Sequence, residues 1–171
     1  MHIQTLTLHN YRGARSLSLK LDPRLNVMVG INGAGKSTVL DAATILLSWA
    51  VNRIRTPGAS GRPIPENDIT NGQPSASIEL TMKHGHSSID WRLAKARKGS
   101  RISEKPTNLK TLSAYINVLH DQQWSEDAAL PLFAYYPVNR SVLDIPLRIR
   151  TKNKFDMIAA YDKALESDTS F

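Results

Sequence analysis

The sequence contains no cysteine, which excludes disulfides, thiolate metal sites and thiol nucleophiles. Aromatic residues make up only 6%, and Trp91 is the only one between Lys83 and Lys110. A base-stacking platform for single strands is therefore not indicated. No apolar run approaches the roughly 18 residues that a membrane span needs. Met1-His2-Ile3-Gln4-Thr5 lacks the basic-then-apolar layout of a signal peptide. Low-complexity segments and internal repeats are absent as well. Hydrophobic residues at 41% and charged residues at 22% argue against a disordered tail. At 171 residues the chain suits one compact domain, or one lobe of something larger. The expectation is a cytoplasmic protein with no membrane contact.

What the sequence does have is positive charge, 22 Lys+Arg against 15 Asp+Glu, for a net +7. Lys83, Arg92, Lys95, Arg97, Lys98, Arg101, Lys105 and Lys110 face only Asp90 and Glu104 within their stretch. Arg140, Arg148, Arg150, Lys152 and Lys154 form a second cluster. Such clusters make either a phosphate-facing surface with salt-dependent binding or an ordinary solvated face.

Apolar and polar residues alternate from His2 to His9 and from Leu17 to Leu21, with a turn at Arg12-Gly13-Ala14, which predicts a hairpin. After the break at Asp22-Pro23, Leu25-Asn26-Val27-Met28-Val29 reads as a short buried strand. A helix is expected from Lys36 to Arg55, with Val39, Leu40, Ala43, Leu46, Leu47, Ala50, Val51 and Ile54 on a broad buried face. Residues 56–65 carry three prolines and read as an irregular loop. Strands are expected over 77–83 and 87–94, joined at His84-Gly85-His86. A basic mobile loop over 95–106, a helix over 108–120, an apolar strand over 130–138 and a helix over 155–165 complete the expectations.

One motif carries chemistry. Gly30-Ile31-Asn32-Gly33-Ala34-Gly35-Lys36-Ser37 matches the phosphate-binding pattern G-x-x-x-x-G-K-[ST] at every fixed position. Glycines let the backbone wrap closely and aim successive N–H groups at phosphate oxygens. The helix that starts there adds the positive end of its dipole. Lys36 is expected to bridge the β- and γ-phosphates as the catalytic cation, and Ser37 to ligate Mg²⁺. Thr38 is expected near the α-phosphate. Asn32, inside the loop, is placed to reach the γ-phosphate or a partner subunit.

Two strands ahead of the loop strand set this chain apart from small GTPases and nucleoside kinases. The opening through Leu8-His9-Asn10-Tyr11-Arg12, and the run from Leu25 to Ala42, resemble ATP-binding heads of the SMC/RecF/OLD branch of ABC-type ATPases. Glu66-Asn67-Asp68-Ile69-Thr70-Asn71-Gly72 looks like the nucleotide-side loop of that branch. Leu132-Phe133-Ala134-Tyr135-Tyr136-Pro137-Val138-Asn139-Arg140 looks like a segment of AAA-type ATPases from bacterial anti-phage systems, similar to the Septu-type ATPases that also accompany retrons. The resemblance implies an α/β fold: a P-loop NTPase sheet with an antiparallel β subdomain, spanning residues 1–171 as an N-terminal lobe with 56–65 and 95–106 as insertions. It implies Arg12 near the phosphates, Asp68, Ile69 and Thr70 near the base or ribose, and Asn139 or Arg140 where a glutamine usually stands. It also implies ATP and Mg²⁺ as cofactors and a homodimer paired through the ATPase heads. The partners it implies are an HNH-type nuclease and a reverse transcriptase with retron DNA or other nucleic acid.

The sequence departs from the pattern in two places. No apolar strand ends in Asp-Glu, the pair that hydrolysis needs for its metal-side carboxylate and base, and no Ser-Gly-Gly signature occurs. The expectation is a longer ATPase of which these residues are the N-terminal lobe. A non-hydrolysing nucleotide sensor and a DNA-repair head binding DNA through Arg97 and Lys98 are the rival readings. Asn153-Lys154-Phe155-Asp156 imitates a guanine-reading motif, but the segment before it is basic rather than an apolar strand. His84 and His86 are turn residues lacking the further ligands that a metal site needs.

Overall fold

The computed structural model describes residues 1–101, 105–122, 131–136 and 161. Strands β1 (His2–Tyr11), β2 (Ala14–Lys20), β3 (Ser75–His84) and β4 (Ser87–Ala96) form one antiparallel sheet in the order β2-β1-β3-β4. Helices α1 (Lys36–Arg55) and α2 (Lys110–Gln122) complete the α/β lobe. No helix among the described residues is long and apolar enough to cross a membrane.

The period of two in the sequence decides which face is buried. Leu6 lies between Leu19 and Leu80, and Leu8 between Leu17 and Ile78, while Leu80 and Ile78 oppose Trp91 and Leu93 on β4. This apolar face meets Val39, Ala42, Ile45, Leu46 and Ala50 of α1 and Leu112 and Ile116 of α2 in one core. The opposite face is polar, with Thr5, Thr7, His9, Glu79, Thr81 and Arg92. Arg92 places both Nε and Nη2 on Glu79 Oε2, at 2.8 and 2.6 Å.

Trp91 ties sheet to helix. Its ring is fully buried, and Nε1 donates to the Leu46 carbonyl at 3.0 Å. Replacement by Phe removes that hydrogen bond and leaves unfilled volume, so Trp91→Phe is expected to cost about 2–3 kcal/mol. Urea unfolding should show a lower midpoint at unchanged slope.

Several sequence expectations need correction. Leu25–Val29 is not a strand: it has no ladder partner among the described residues, and Val29 is 91% exposed. Asp22 and Asn26 instead close a reciprocal turn, Asp22 N–H donating to Asn26 Oδ1 at 2.8 Å and Asn26 Nδ2 to the Asp22 carbonyl at 2.9 Å. The loop expected from Lys95 does not start there, because β4 continues to Ala96. Residues 97–101 are then tied down by Arg97, which donates to the carbonyls of Ile69 (2.8 Å) and Gln73 (3.0 Å). Residues 131–136 form no strand. The expected helix over 155–165 lies outside the described residues except for Tyr161, which is buried and donates to the Pro131 carbonyl. Residues 56–65 are irregular as expected, yet α1 pins them: Trp49 Nε1 donates to the Arg62 carbonyl and Asn52 Nδ2 to the Ser60 carbonyl, both at 2.8 Å.

Candidate nucleotide-binding site

The phosphate loop joins the extended segment after Asp22 to α1. Gly33 and Gly35 adopt φ of 83° and 88°, the left-handed region where a side chain is strained, and a Cβ there would meet open space. Both glycines are therefore required by the backbone and not by crowding. Gly35 is also the cap residue of α1, with no side-chain hydrogen bond to the helix and no acidic residue in the first turn. The first N–H groups of α1 are left for an outside acceptor. Asn32, Gly33, Ala34 and Ser37 are exposed, and Thr38 is half-buried. Gly30 sits close to Ala34, so a Cβ there would come within 3.1 Å of the Ala34 methyl.

Lys36 folds back over its own loop. Its ammonium donates to the Gly30 carbonyl at 2.7 Å and to the Ile31 carbonyl at 2.8 Å. This holds a positive charge at the mouth of the loop, beside the free N–H groups. A cleft of about 800 Å³ opens there, lined by Gly13 to Leu17 of the hairpin, Val27 to Val29, and Gly33 to Lys36 with Thr38. Its size matches that of ordinary small-molecule sites.

The hairpin turn is fastened from the side. Asn10 and Arg12 both have φ of 50°, unusual for non-glycine residues. The segment after the short 3₁₀ turn Glu66–Asp68 holds them there. Arg12 N–H donates to the Asp68 carbonyl at 2.6 Å, Thr70 N–H to the Asn10 carbonyl at 2.8 Å, and Thr70 Oγ1 to the Arg12 carbonyl at 2.7 Å. Thr70 thus acts on the backbone of the turn, and the Ile69 side chain is buried in the core.

The Arg12 side chain pairs with two carboxylates, Nη1 with Asp41 Oδ2 at 2.5 Å and Nε with Asp68 Oδ1 at 2.9 Å. Burial alone would lower its pKa, but the hydrogen bonds to Asp68 and Asp41 more than offset this and raise it. Burial pushes the Tyr11 hydroxyl up; Arg12 pulls it back, and Asp68, which accepts its hydrogen bond, pushes it further. Tyr11 thus stays a neutral donor at physiological pH. Burial likewise raises Tyr135, whose hydroxyl donates to Asp41 Oδ1 at 3.2 Å.

The structure therefore brings Arg12, Asp68 and Thr70 together at the hairpin, and Gly30 to Thr38 together at the loop. Asn139 and Arg140 lie outside the described residues. Sequence reasoning did not single out Asp41 or Tyr135 as site residues. Asp41 stands one helical turn beyond Ser37, a spacing visible in the sequence, but its partner Arg12 belongs to another element. His84 is occupied by Tyr115, whose hydroxyl lies 3.0 Å from Nδ1. Among the described residues no group of three or more His, Cys, Asp or Glu gathers to hold a metal.

Comparison with known proteins bears on the same loop. A probable ATPase of retron Ec83 from Escherichia coli is 26% identical over 182 residues, covering 100% of this chain and 33% of that protein. The DNA replication and repair protein RecF of Listeria monocytogenes is 31% identical over 122 residues, covering 70% of this chain and 30% of that protein. The chain thus spans about a third of the length of these relatives. Among solved structures, the SMC head domain from Thermotoga maritima aligns with a TM-score of 0.46 at 21% identity, over 67% of this chain and 42% of that one. Residues 5–171 match the family described as an AAA domain. The chain belongs to that AAA domain family.

Proposed function

We propose that this chain is the N-terminal lobe of an ATPase head that binds ATP with Mg²⁺ and, in the complete protein, hydrolyses it between two paired heads. The observation that carries the reading is the open phosphate loop, with left-handed Gly33 and Gly35, an uncapped α1 N-terminus, and Lys36 poised across the mouth. In this reading Gly30 to Gly35 supply the backbone cradle, Lys36 takes the β- and γ-phosphates, and Thr38 takes the α-phosphate. Ser37 ligates Mg²⁺, which when bound neutralises charge on the triphosphate. Asn32 meets the γ-phosphate or the second head. Arg12 is recruited to the phosphates, and the Asp68 to Thr70 segment borders the base or ribose. Arg140 is assigned beside the nucleotide on resemblance alone.

Hydrolysis needs the acidic pair of an apolar strand that ends in Asp-Glu, which this sequence does not carry. Turnover is therefore assigned to the assembled protein. Likeness to the probable ATPase of retron Ec83 supports a retron-type role; in this reading the protein serves anti-phage defence, and opening and closing of the head dimer gates a partner such as an HNH-type nuclease. The rival DNA-end reading draws less support, since Arg97 is spent on backbone carbonyls and Arg92 on Glu79.

Calorimetric titration of the full-length protein with MgATP and MgGTP, with light scattering to follow mass, tests the reading. ATP is expected to bind with a Kd on the order of micromolar, GTP about tenfold more weakly, and the mass to double with ATP. Failure to bind either nucleotide would sink the nucleotide reading, and unchanged mass with bound ATP would sink head pairing.

A further inference from the structure

Arg12 does not stand where its expected partner would be. Its neighbours Gly13, Ala14, Arg15 and Ser16 line the cleft at the phosphate loop, whereas Arg12 does not line it. Its guanidinium is instead shared between Asp41 and Asp68. Both oxygens of Asp41 are engaged, Oδ2 by Arg12 and Oδ1 by the Tyr135 hydroxyl. Asp41 lies four residues beyond Ser37 on α1, hence on the same helical face one turn away. A single carboxylate thus joins the hairpin turn, the phosphate-loop helix and the 131–136 segment.

We propose that Asp41 is a positioning residue of the nucleotide site: it competes with nucleotide phosphate for Arg12, holding the guanidinium outside the cleft until ATP draws it in. The proposal rests on the nucleotide reading above. Its energetics are those of a latch that can open. The Arg12 and Asp41 side chains are 34% and 30% exposed, and ion pairs this accessible are weak. A triphosphate brings several negative charges and charge-assisted acceptors, against one charge each from Asp41 and Asp68. The Arg12 backbone need not move, because Thr70 and Asp68 hold it through separate hydrogen bonds, but Nε must also leave Asp68 Oδ1. While the latch is closed, apparent ATP affinity is reduced by the fraction of molecules with Arg12 released.

A double-mutant cycle on the full-length protein tests this, with ATP affinity measured calorimetrically. Asp41→Asn removes the charge and keeps an acceptor for Tyr135. It is expected to tighten ATP binding about three- to fivefold, the gain from removing a modest ion pair. In an Arg12→Ala background the same substitution is expected to change nothing. Asp41→Glu keeps the charge and should stay at wild-type affinity. A merely structural Asp41 would weaken binding with or without Arg12, and that result overturns the proposal, as does unchanged affinity in Asp41→Asn. The Arg12 Nε–H resonance of the wild type gives a reading free of variants. It should shift on addition of ATP, and a resonance unmoved at saturating ATP also overturns the latch. A wild type that binds no ATP sinks the nucleotide reading and the latch together, whereas ATP binding with a null cycle sinks the latch alone.

Discussion

Lys36→Ala is expected to lower ATP affinity on the order of a hundredfold while leaving the melting temperature almost unchanged. The two halves of this expectation have different origins. The ammonium is fixed at the loop mouth, 2.7 Å from the Gly30 carbonyl and 2.8 Å from the Ile31 carbonyl. Removing a positioned charge that faces phosphate costs about 2–3 kcal/mol of binding. The fold, by contrast, loses only two exposed hydrogen bonds, each with a small net contribution. Lys36→Arg separates charge from shape. It keeps the cation, but its planar fork cannot donate along the same directions as the ammonium, so intermediate affinity is expected. Calorimetry with MgATP and a thermal melt on each variant provide the check. An Ala variant within about threefold of wild-type affinity would mean that the loop binds no triphosphate through Lys36.

Much of the fold is legible in the sequence because its signals are local. The helix over Lys36–Arg55 appears with those bounds, since its apolar spacing, its glycine-bearing start and the break near Pro57 lie within one stretch. The four strands are readable as elements, but their ends are not. β3 begins at Ser75, two residues early, because Ser75, Ala76 and Ser77 are buried without being strongly apolar. β2 begins at Ala14, where pairing with β1 recruits polar Arg15 and Ser16. The failure at Leu25–Val29 has the opposite cause. Alternation reports fitness for a pleated, half-buried surface, but a strand exists only when a neighbour supplies the ladder, and none does among the described residues. The exposed side chains of Leu25, Val27, Val29 and Ile31 follow directly.

The candidate site divides in the same way. Every residue of the phosphate loop could be read from spacing, because the motif is a contiguous backbone device. The network around Arg12 could not, since Arg12, Asp41, Asp68 and Tyr135 come from four separate segments and meet only after folding. Arg97 teaches the same point about charge. Counted in sequence it belongs to a basic cluster, yet in the structure its fork satisfies carbonyls of the 69–73 segment. Charge reversal at Arg97 would therefore damage that segment whether or not nucleic acid binds.

Gly61→Ala is expected to be the most damaging of the single-methyl additions. An added Cβ would lie 2.4 Å from Trp49 Cδ1, 2.5 Å from the Trp49 nitrogen and 2.6 Å from Ser48 Oγ. Backbone conformation is not the obstacle, since Gly61 is outside the positive-φ set. Space is, and none of the three neighbours can retreat. The Trp49 nitrogen belongs to α1. Ser48 Oγ is held twice, donating to the Ile45 carbonyl at 2.7 Å and accepting from Arg62 N–H at 2.8 Å. The indole is fixed by its own bond to the Arg62 carbonyl. Relief therefore requires the 56–65 segment to lift from α1, breaking both bonds at Arg62 and loosening the Arg53 and Asn52 contacts to Ala59 and Ser60. Overpacking of this kind costs about 1–3 kcal/mol, and the lost hydrogen bonds take the expectation to the upper end, a fall in Tm of roughly 5–10 °C for a chain of this size. Gly13→Ala is the control, because a Cβ there meets nothing within 4 Å, and its melting temperature should match the wild type. Gly61 lies beside the C-terminal half of α1, far along the helix from the phosphate loop, so ATP affinity measured well below the transition should be unaltered. A Gly61→Ala variant as stable as Gly13→Ala would show that the segment leaves α1 at no cost, and that its hydrogen bonds to Ser48 and Trp49 contribute nothing to stability.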